Sequence, residues 1–543
     1  MKSLLEVRRR TSLLILHMSV LASLMSACGG SGSTSSGAGT GAPQPNTSNE
    51  WTWMRGAEAD DQVPSNWTNP WSEPYNSDPY YGTLGTPGAH TVPGGRNSSA
   101  YWTDPEGNFW LFGGDGLDGS PAPIEGLLND LWKFSPATNE WTWVGGSSTL
   151  PSAFSSCGLG PGYCGLPGVY GTQGTASPLN IPGGRKLAVT WTDNAGNFWL
   201  YGGYGIDSIG NLGFLNDLWE FNPTTQQWAW ISGSSANPGG GSPGGNYGTQ
   251  GVAAPENVPP GLIEATGWID KNDNLWLFGG SGIASPDGGQ GYDFNNLWEF
   301  NPTTKQWTWI SGNGGGEDPD YGVYGTLGTP APGNIPSGRN GATSWMDSSG
   351  NMWLFGGYGV YPAAEGGGVA LENALNDLWE FNPATRQWTW MAGTAGGVPN
   401  LVFSYGGPSP PPGIYGTRGI ASASNSPGGR SGANGWIDNS GNLWLFGGNG
   451  EDSTDNFGPL DDLWKFDPAS KQWTWISGDS LAWSSAVYGA QGTPAVANVP
   501  GSRYNSATWI GRNGSLWLFA GWGVTEDPIG GSTVLNDLWR FQP

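Results

Sequence analysis

Five arginines recur at one position of a repeated segment, and their side chains could bind an anion. Each arginine follows two small residues, and leucine takes its place in the third repeat; the positions are Arg96, Arg185, Leu262, Arg339, Arg430 and Arg503. A guanidinium group presents a planar fork of donors that suits carboxylates and sulfates. The sequence therefore predicts that these five arginines are candidate ligand-binding residues. The alternative is that each one pairs with an acid or a carbonyl group of the adjacent repeat.

Four tryptophans lie outside the repeated pattern and are candidates for stacking on a ligand. They are Trp67, Trp71, Trp483 and Trp522, whereas the other 30 of the 34 tryptophans recur in register. Large aromatic side chains at regular positions are typical of packing between repeated elements. We therefore interpret the 30 regular tryptophans as architectural. The four irregular ones either stack on a ligand or fill the core of long loops.

Two series of aspartates also recur once per repeat. The first opens a tight turn that usually ends in Gly-Asn, where a carboxylate can accept turn amides; it comprises Asp104, Asp193, Asp270, Asp347 and Asp438. The second precedes the third strand of each repeat, with Asn296 in the third; it comprises Asp130, Asp217, Asp377, Asp462 and Asp537. Acids at one position in nearly every repeat favour a structural role over a catalytic pair. The sequence predicts no catalytic residue.

Composition excludes several classes of function. The chain has 44 acidic and only 20 basic residues, which argues against binding nucleic acid through phosphate neutralisation. It has two histidines, His17 and His90, which leaves little for histidine-based metal chemistry. The acidic loops Glu451–Asp455 and Glu317–Asp320 lack the spacing of an EF-hand. We therefore predict neither a bound metal nor a cofactor.

The first 49 residues read as a targeting segment and a tether. A basic flank and a short apolar run lead to Leu-Met-Ser-Ala-Cys at residues 24–28, which resembles the lipobox of bacterial lipoproteins. The resemblance implies a signal peptide over residues 1–27 and lipidation of Cys28; an ordinary secretory peptide is the alternative. Residues 28–49 are rich in Gly and Ser and predict a flexible tether. We expect an exported protein that is lipid-anchored to the bacterial cell envelope, in the periplasm or on the surface.

The two remaining cysteines, Cys157 and Cys164, lie in a Gly- and Pro-rich loop. An exported protein folds in an oxidising compartment, where two nearby cysteines favour a disulfide. The sequence therefore predicts one bond that closes this loop.

Six repeats fill residues 50–543, and they determine the fold. Trp-Leu-Phe-Gly-Gly or a variant begins at Trp110, Trp199, Trp276, Trp353, Trp444 and Trp517. Each repeat holds four short, aromatic-rich runs bounded by Gly, Asn, Asp and Pro, which predict four strands. Six four-stranded sheets indicate a six-bladed β-propeller. The last repeat lacks its fourth strand, and the unassigned Glu50-Trp51-Thr52-Trp53 is predicted to supply it from the N-terminus.

The motif order Gly-Gly-Arg, Trp, Gly-Asn-x-Trp-Leu-Phe-Gly-Gly and Leu-Asn-Asp-Leu-Trp-Glu-Phe resembles the kelch repeat. This resemblance spans Glu50 to Pro543 and implies an all-β, kelch-type propeller in which the five arginines can engage acidic ligands. Galactose-oxidase-type members bind copper through two histidines, and the region carries only His90, so that chemistry is not expected. A sialic-acid mutarotase is also a kelch propeller, and a carbohydrate-active isomerase of this kind is the alternative function.

The long connections of the propeller all fall on one face, because the second-to-third and blade-to-blade connections share a side. Binding sites on rigid scaffolds usually lie on such loops. Tyrosines in a Tyr-Gly-Thr-x-Gly motif recur there and either pack the loops or line a cup; they are Tyr81, Tyr170, Tyr247, Tyr324, Tyr415 and Tyr488. We expect a monomeric, noncatalytic protein that binds a protein or glycan through this loop-rich face. A structural envelope protein that binds nothing small is a further alternative.

Overall fold

The computed structural model of the protein describes residues 48–56, 77–151, 164–237, 243–283, 291–314, 320–360, 372–395, 410–524 and 532–543. Residues Thr47–Pro543 form one compact unit. The described residues are all-β, as the sequence predicts, and form 36 strands. No helix among them has the length and apolar character needed to cross a membrane.

Three large antiparallel sheets contain long second and third strands. Sheet 1 comprises β2 (Arg96–Asn97), β3 (Ala100–Thr103), β4 (Phe109–Leu117), β5 (Glu125–Ser135) and β6 (Glu140–Gly145). Sheet 2 comprises β7 (Arg185–Lys186), β8 (Val189–Thr192), β9 (Phe198–Ile206), β10 (Leu212–Asn222) and β11 (Gln227–Ser232). Sheet 6 comprises β33 (Arg503–Tyr504), β34 (Ala507–Ile510), β35 (Leu516–Val524), β36 (Ser532–Gln542) and the N-terminal β1 (Glu50–Arg55).

In the other three repeats the second and third strands are each divided in two. Sheet 3 comprises β13 (Thr266–Ile269), β14 (Leu275–Phe278), β17 (Leu297–Asn301) and β18 (Gln306–Ser311). Sheet 4 comprises β20 (Thr343–Met346), β21 (Met352–Phe355), β24 (Leu378–Asn382) and β25 (Gln387–Ala392). Sheet 5 comprises β27 (Asn434–Ile437), β28 (Leu443–Phe446), β31 (Leu463–Asp467) and β32 (Gln472–Ser477).

The other pieces of these divided strands form a small three-stranded sheet in each of the three repeats. The first holds β12 (Leu262–Ile263), β15 (Ser281–Ile283) and β16 (Gly291–Asp293). The second holds β19 (Arg339–Asn340), β22 (Tyr358–Val360) and β23 (Glu372–Ala374). The third holds β26 (Arg430–Ser431), β29 (Asn449–Glu451) and β30 (Phe457–Pro459).

The double glycine explains where the second strand divides. In the third repeat, Gly279 and Gly280 have φ values of 69° and 90°, which side-chain-bearing residues rarely adopt. A Cβ on Gly279 would lie 2.7 Å from the carbonyl oxygen of Arg339, so the close approach of the next repeat also requires glycine. The strand therefore bends at this pair, and its continuation pairs with the arginine-position strand.

The N-terminal strand β1 pairs with β36, as the sequence predicts. Trp51 lies opposite Phe541 and Trp53 opposite Trp539 in an antiparallel ladder. Trp51 also contacts Phe446 of sheet 5, with ring centroids 5.3 Å apart. The N-terminal strand β1 therefore completes sheet 6, which contains the C-terminal strand β36.

The first four-residue strand of each repeat contacts its counterparts in the two neighbouring repeats, so that the six strands form a closed cycle. We call these six strands the inner strands. β3 contacts β8, and the contacts continue through β13, β20, β27 and β34, which in turn contacts β3. Just before each inner strand, one backbone N–H donates to the carbonyl of the equivalent residue in the preceding repeat, at 2.8–3.1 Å. We call these residues the axial ring: Ser98, Leu187, Glu264, Gly341, Gly432 and Asn505. The six hydrogen bonds form a closed circle, since Ser98 donates to Asn505.

Tryptophans join each sheet to the next, which confirms their architectural interpretation. Trp102 of sheet 1 stacks on Phe198 of sheet 2, with centroids 5.3 Å apart, and its indole N–H donates to the carbonyl of Trp199 at 3.0 Å. The cores are built across these junctions, so each one contains residues from two sheets. Aromatic pairs of this geometry stabilise a core beyond the area they bury.

The Tyr-Gly-Thr-x-Gly loops cover the outer edges of the sheets. The N–H of Gly85 donates to the carbonyl of Trp143 on β6 at 2.8 Å, and the equivalent bond occurs in all six repeats. An uncovered edge strand offers unpaired backbone groups to other chains. These loops therefore protect the sheets from edge-to-edge association.

Candidate functional site

Each repeated aspartate before the third strand is the centre of a buried hydrogen-bonded cluster. In sheet 4, Asp377 accepts both terminal nitrogens of Arg339, at 2.7 and 2.8 Å. Its Oδ2 also accepts the hydroxyl of Tyr324 and the indole N–H of Trp379, both at 2.7 Å. We call this arrangement the Arg–Asp cluster. It holds the loop tyrosine, the arginine-position strand and the third strand together.

The Arg–Asp cluster occurs in five of the six repeats. The arginine–aspartate pairs have nitrogen–oxygen distances of 2.6–2.8 Å and are Arg96–Asp130, Arg185–Asp217, Arg339–Asp377, Arg430–Asp462 and Arg503–Asp537. Each aspartate again accepts a loop tyrosine, as Asp130 does from Tyr81 at 2.7 Å. The structural interpretation of these aspartates is therefore confirmed. The tyrosines pack the loops and do not line a cup.

The ligand-binding prediction for Arg96, Arg185, Arg339, Arg430 and Arg503 is not supported by this geometry. Their side chains are at most 1% exposed. Arg339 uses all five N–H groups within its own repeat, since the three not directed at Asp377 donate to the Ser337 carbonyl, the Ser337 hydroxyl and the Gly356 carbonyl. The alternative of pairing with an adjacent repeat is also wrong, because each partner acid belongs to the same repeat.

Electrostatics stabilise the charged form of each arginine. Burial alone would lower the pKa of Arg339, but the charge and hydrogen bonds of Asp377 outweigh it and raise that pKa. Burial raises the pKa of Tyr324 well above its usual value, and the Asp377 charge raises it further. The tyrosine therefore remains a neutral donor, and Arg339 remains charged.

The third repeat replaces the cluster with neutral residues. Leu262 stands at the arginine position, and Asn296 stands at the aspartate position. Asn296 donates to the hydroxyl of Tyr247 at 2.8 Å, while the buried indole nitrogen of Trp298 has no partner in the described part of the chain. Both charges of the pair are therefore absent from the same repeat.

The turn aspartates also have the predicted role. Asp104 accepts the Asn108 backbone N–H at 2.8 Å and its side-chain amide at 2.9 Å. It further accepts the Trp110 indole N–H at 2.9 Å. The same pattern recurs at Asp193, Asp270, Asp347 and Asp438.

Two of the four irregular tryptophans, Trp483 and Trp522, belong to the described residues. Trp483 is 55% exposed and follows sheet 5, with its indole N–H 3.4 Å from the Phe457 carbonyl. Trp522 is partly buried within β35, opposite Val534. Trp67 and Trp71 lie outside the described residues, so their role stays a prediction. Of the two that the structure describes, Trp483 offers the larger exposed surface for stacking.

The cysteine predictions are only partly covered by the structure. Cys164 is buried beside sheet 1, where its carbonyl accepts the N–H of Leu127 at 2.7 Å. Cys157 and Cys28 lie outside the described residues. The disulfide and the lipidation therefore stay predictions.

Polar side chains that differ between repeats meet at the axial ring. Glu264 of the third repeat accepts the side-chain amide of Asn505 at 3.2 Å, although Asn505 belongs to the opposite repeat of the cycle. Asn505 also approaches the hydroxyl of Ser98 at 3.3 Å. These side chains therefore cross the axis and cover the ring. Burial raises the pKa of Glu264, although the Asn505 hydrogen bond and the Lys186 charge oppose the rise.

Further polar and charged groups lie close to Glu264. Lys186 pairs with Asp115 at 2.7 Å, and Asn340 donates to Asp293 at 2.8 Å. Burial and the charges of nearby glutamates, including Glu264, raise the pKa of Asp293 to about 7. We call Ser98, Asp115, Lys186, Glu264, Asp293, Asn340 and Asn505 the axial mouth. Three acids and one lysine make it acidic on balance.

Sequence reasoning missed the axial mouth because its residues share no motif. The signal lies in the differences between aligned repeats: all six axial-ring residues have φ between 52° and 63°, but only two of them are glycine. Side chains at such φ values are unfavourable. Glu264 at one of these positions therefore marks a place where a side chain is retained despite the backbone.

On the opposite side of the axial ring, the inner strands enclose a cavity of about 490 Å³. All six inner strands line it, and Tyr101, Thr190, Ser344 and Thr508 supply hydroxyl groups. Among the described residues, no three His, Cys, Asp or Glu side chains cluster as a metal site would require. No protein-family model matches the chain, and none of the curated proteins is significantly similar to it.

Proposed function

We propose that residues 50–543 form a six-bladed kelch-type propeller whose first strand completes the last blade. The support is the closed cycle of inner-strand contacts, the circle of six backbone hydrogen bonds and the pairing of β1 with β36. Full closure leaves only protected edges, which suits an all-β chain of this length.

On this propeller, the proposed function is noncatalytic binding of a glycan or protein at the axial mouth of the loop-rich face. One observation supports this function. The residues that the repeats share make buried structural contacts, whereas the polar residues that differ between repeats lie together near the axis. Repeated residues serve the architecture, and only the differing ones can give one ligand a preferred orientation. At the axial mouth, the carboxylates of Glu264 and Asp293 can accept hydrogen bonds from a ligand, and Lys186 can donate one.

The carbohydrate-active alternative has less support. A mutarotase acting on an acidic sugar needs a cation for the carboxylate, and the five arginines that the kelch resemblance offers are buried and paired. The axial mouth carries more acids than bases and repels an anion. Neutral or basic ligands therefore suit the mouth better than anionic ones.

The proposal includes export and lipid anchoring through Cys28, with a tether of residues 28–49. The tether would hold the monomeric propeller away from the membrane and leave its loop-rich face free to bind. Radiolabelled palmitate incorporation, lost in Cys28→Ala, tests the anchor.

An array of soluble glycans and purified envelope proteins tests the function. The wild-type chain is expected to give saturable hits that Glu264→Gly combined with Asp293→Asn abolishes. Glycine already occupies the ring at 341 and 432, so the first change suits the backbone. Glu299→Gln, in β17, is the control and should keep the hits. Hits that survive the double substitution would contradict binding at the axial mouth. An array without hits would contradict the proposed binding function itself.

A further inference from the structure

The cavity beneath the axial ring differs chemically from the mouth above it. Its 490 Å³ are lined by residues of all six inner strands, and none of the lining residues is charged. This is unusual in a chain with a formal net charge of −24. Pockets of this size are typical of small-ligand sites.

The cavity has one closed and one open end. The six-membered circle of backbone hydrogen bonds closes the end at the axial ring, where Glu264 and Asn505 cross the axis. The lining extends along the inner strands to Thr103, Thr192 and Ile510 at their far ends, next to the short turns. A ligand therefore enters from the short-turn face, opposite to the axial mouth.

Strand alternation directs hydroxyl groups into this cavity. In β3 the buried Ala100 and Trp102 alternate with the partly exposed Tyr101 and Thr103. Successive side chains of a strand point to opposite faces, so the second and fourth residues of each inner strand face the axis. These positions hold a hydroxyl group in four of the six strands at Tyr101, Thr103, Thr190, Thr192, Ser344 and Thr508.

A buried polar atom near the cavity has no partner in the described part of the chain. The inner-strand tryptophans of sheets 1 to 5 donate their indole N–H to a carbonyl of the next sheet, at 3.0–3.3 Å. The sixth, Trp509, is 3% exposed and lines the cavity, and its indole nitrogen has no hydrogen-bond partner among the described residues. That nitrogen has almost no accessible surface, and strand alternation directs the third residue of β34 toward sheet 1, where Trp509 stacks on Phe109, so the indole N–H is not part of the ligand-facing wall.

The environment of Trp509 supplies partners for more than one ligand oxygen. Tyr101 packs edge-on against Trp509 with ring centroids 5.9 Å apart, and its hydroxyl lies 3.3 Å from that of Thr508. A phenol and an aliphatic hydroxyl therefore lie together on the wall that faces the axis. Hydroxyl groups both donate and accept, so this wall matches a ligand that carries several hydroxyls of its own.

We propose that this cavity is a second binding site, separate from the axial mouth, for a neutral polyhydroxylated ligand such as a terminal sugar residue of a glycan. Ligand hydroxyls bond to the hydroxyl groups of Tyr101 and Thr508, which face the axis. A charged group has no counter-ion in the wall, and moving it from water into such a site is unfavourable. The site therefore selects against acidic and amino sugars.

Ligand-observed NMR and isothermal titration calorimetry on the full chain test this site, with cellobiose as the probe. Saturable binding is expected for cellobiose, and binding at least about tenfold weaker for glucuronic acid and glucosamine than for glucose. Tyr101→Phe combined with Thr508→Ala should weaken cellobiose binding at least about tenfold, from the loss of the hydrogen bonds to both hydroxyl groups. Thermal unfolding of the variant, unchanged within a few degrees, shows that the fold is retained.

The matched control is Glu299→Gln in β17, which lies outside the cavity lining and should leave cellobiose affinity unchanged. The inference is overturned by an absence of saturable cellobiose binding, which would mean that the cavity holds only water. It is also overturned by equal affinity for the charged sugars, or by a hydroxyl-free variant that binds as well as the wild type. Loss of binding in Glu299→Gln would place the ligand outside the cavity and reject the site.

Discussion

The third and fourth repeats fill the same buried positions differently, the fourth with a charged pair and the third with neutral residues. The fourth buries Arg339 against Asp377, while the third places Leu262 and Asn296 at the same positions. Removing one member of a buried pair leaves an uncompensated charge, whereas removing both can be nearly neutral. The repeats therefore show that the arginine and the aspartate are replaceable only together.

The neutral version is not equivalent in every contact. Asp377 accepts the Trp379 indole N–H at 2.7 Å, but Trp298 finds no such acceptor in the described part of the third repeat. Tyr247 keeps a hydrogen bond, now as acceptor from Asn296 at 2.8 Å. The neutral residues of the third repeat therefore keep a hydrogen bond to the tyrosine but lose the one from the tryptophan.

The largest effect is expected when the charged cluster loses one member. Asp377→Ala leaves Arg339 buried without its counter-ion and should lower the free energy of unfolding by about 3–5 kcal/mol. Asn296→Ala removes only neutral hydrogen bonds and should cost about 1–2 kcal/mol. Guanidinium unfolding followed by tryptophan fluorescence measures both, and equal losses would contradict the comparison.

Glu451 tests the same rule from the opposite direction, because it is a buried charge without a partner. Its side chain is 0% exposed, and neither carboxylate oxygen has a hydrogen bond among the described residues. Other repeats hold an aliphatic residue at this position, such as Ile206 and Val360. Glu451→Val should therefore raise the free energy of unfolding at pH 8 by about 2–3 kcal/mol.

The pH dependence of Glu451 follows from its pKa. Burial, and then the charges of Asp455 and Asp452, raise that pKa from 4.5 to about 7. The folded state therefore favours the protonated acid, and this stability is fully present below pH 4.5 and is lost as the pH rises through 7. The difference in stability between Glu451→Val and wild type should vanish near pH 4. A difference independent of pH would show that the carboxyl titrates normally.

A smaller effect should separate the tyrosines of the two repeats. Tyr324→Phe removes a hydrogen bond to an ionised acceptor and should cost about 2 kcal/mol. Tyr247→Phe removes a bond to a neutral amide and should cost about 1 kcal/mol. Urea unfolding of the two variants gives the order, and a reversed order would deny that the acceptor charge matters.

The smallest effect is expected when the fourth repeat is converted into a copy of the third. Arg339→Leu combined with Asp377→Asn removes both charges and should cost only about 1 kcal/mol, well below the loss in Asp377→Ala alone. A double-mutant cycle in denaturant measures the coupling. If the double variant is as unstable as Asp377→Ala, the third repeat depends on further compensating residues.

The sequence predicts the sheets better than the site, for physical reasons visible in particular residues. Strands were recognisable because aromatic and glycine positions recur, and the pairing of Trp51 with Phe541 followed from counting those blocks. The sequence does not tell which strands divide, since the same double glycine stands within the undivided β4 and β9 and at the break in the third repeat.

The roles of the charged residues could not be predicted from their types. Arg339 has the chemistry of an anion-binding residue, and only its proximity to Asp377, 38 positions later, removes it from the surface. Glu264 carries no motif and gains its place from a backbone circle that joins six distant segments. Burial and long-range pairing, which decide both outcomes, are properties of the fold and not of local sequence.

The circle of hydrogen bonds at the axial ring also allows local unfolding around the axis to be measured by amide hydrogen exchange. Each of its six amides belongs to a different sheet, yet each is bonded to the next. In native-state hydrogen exchange, the amides of Ser98 and Gly341 should therefore exchange at the same slow rate, although nearly 250 residues separate them. A single slow class for all six would identify the axis as the last part of the molecule to admit solvent.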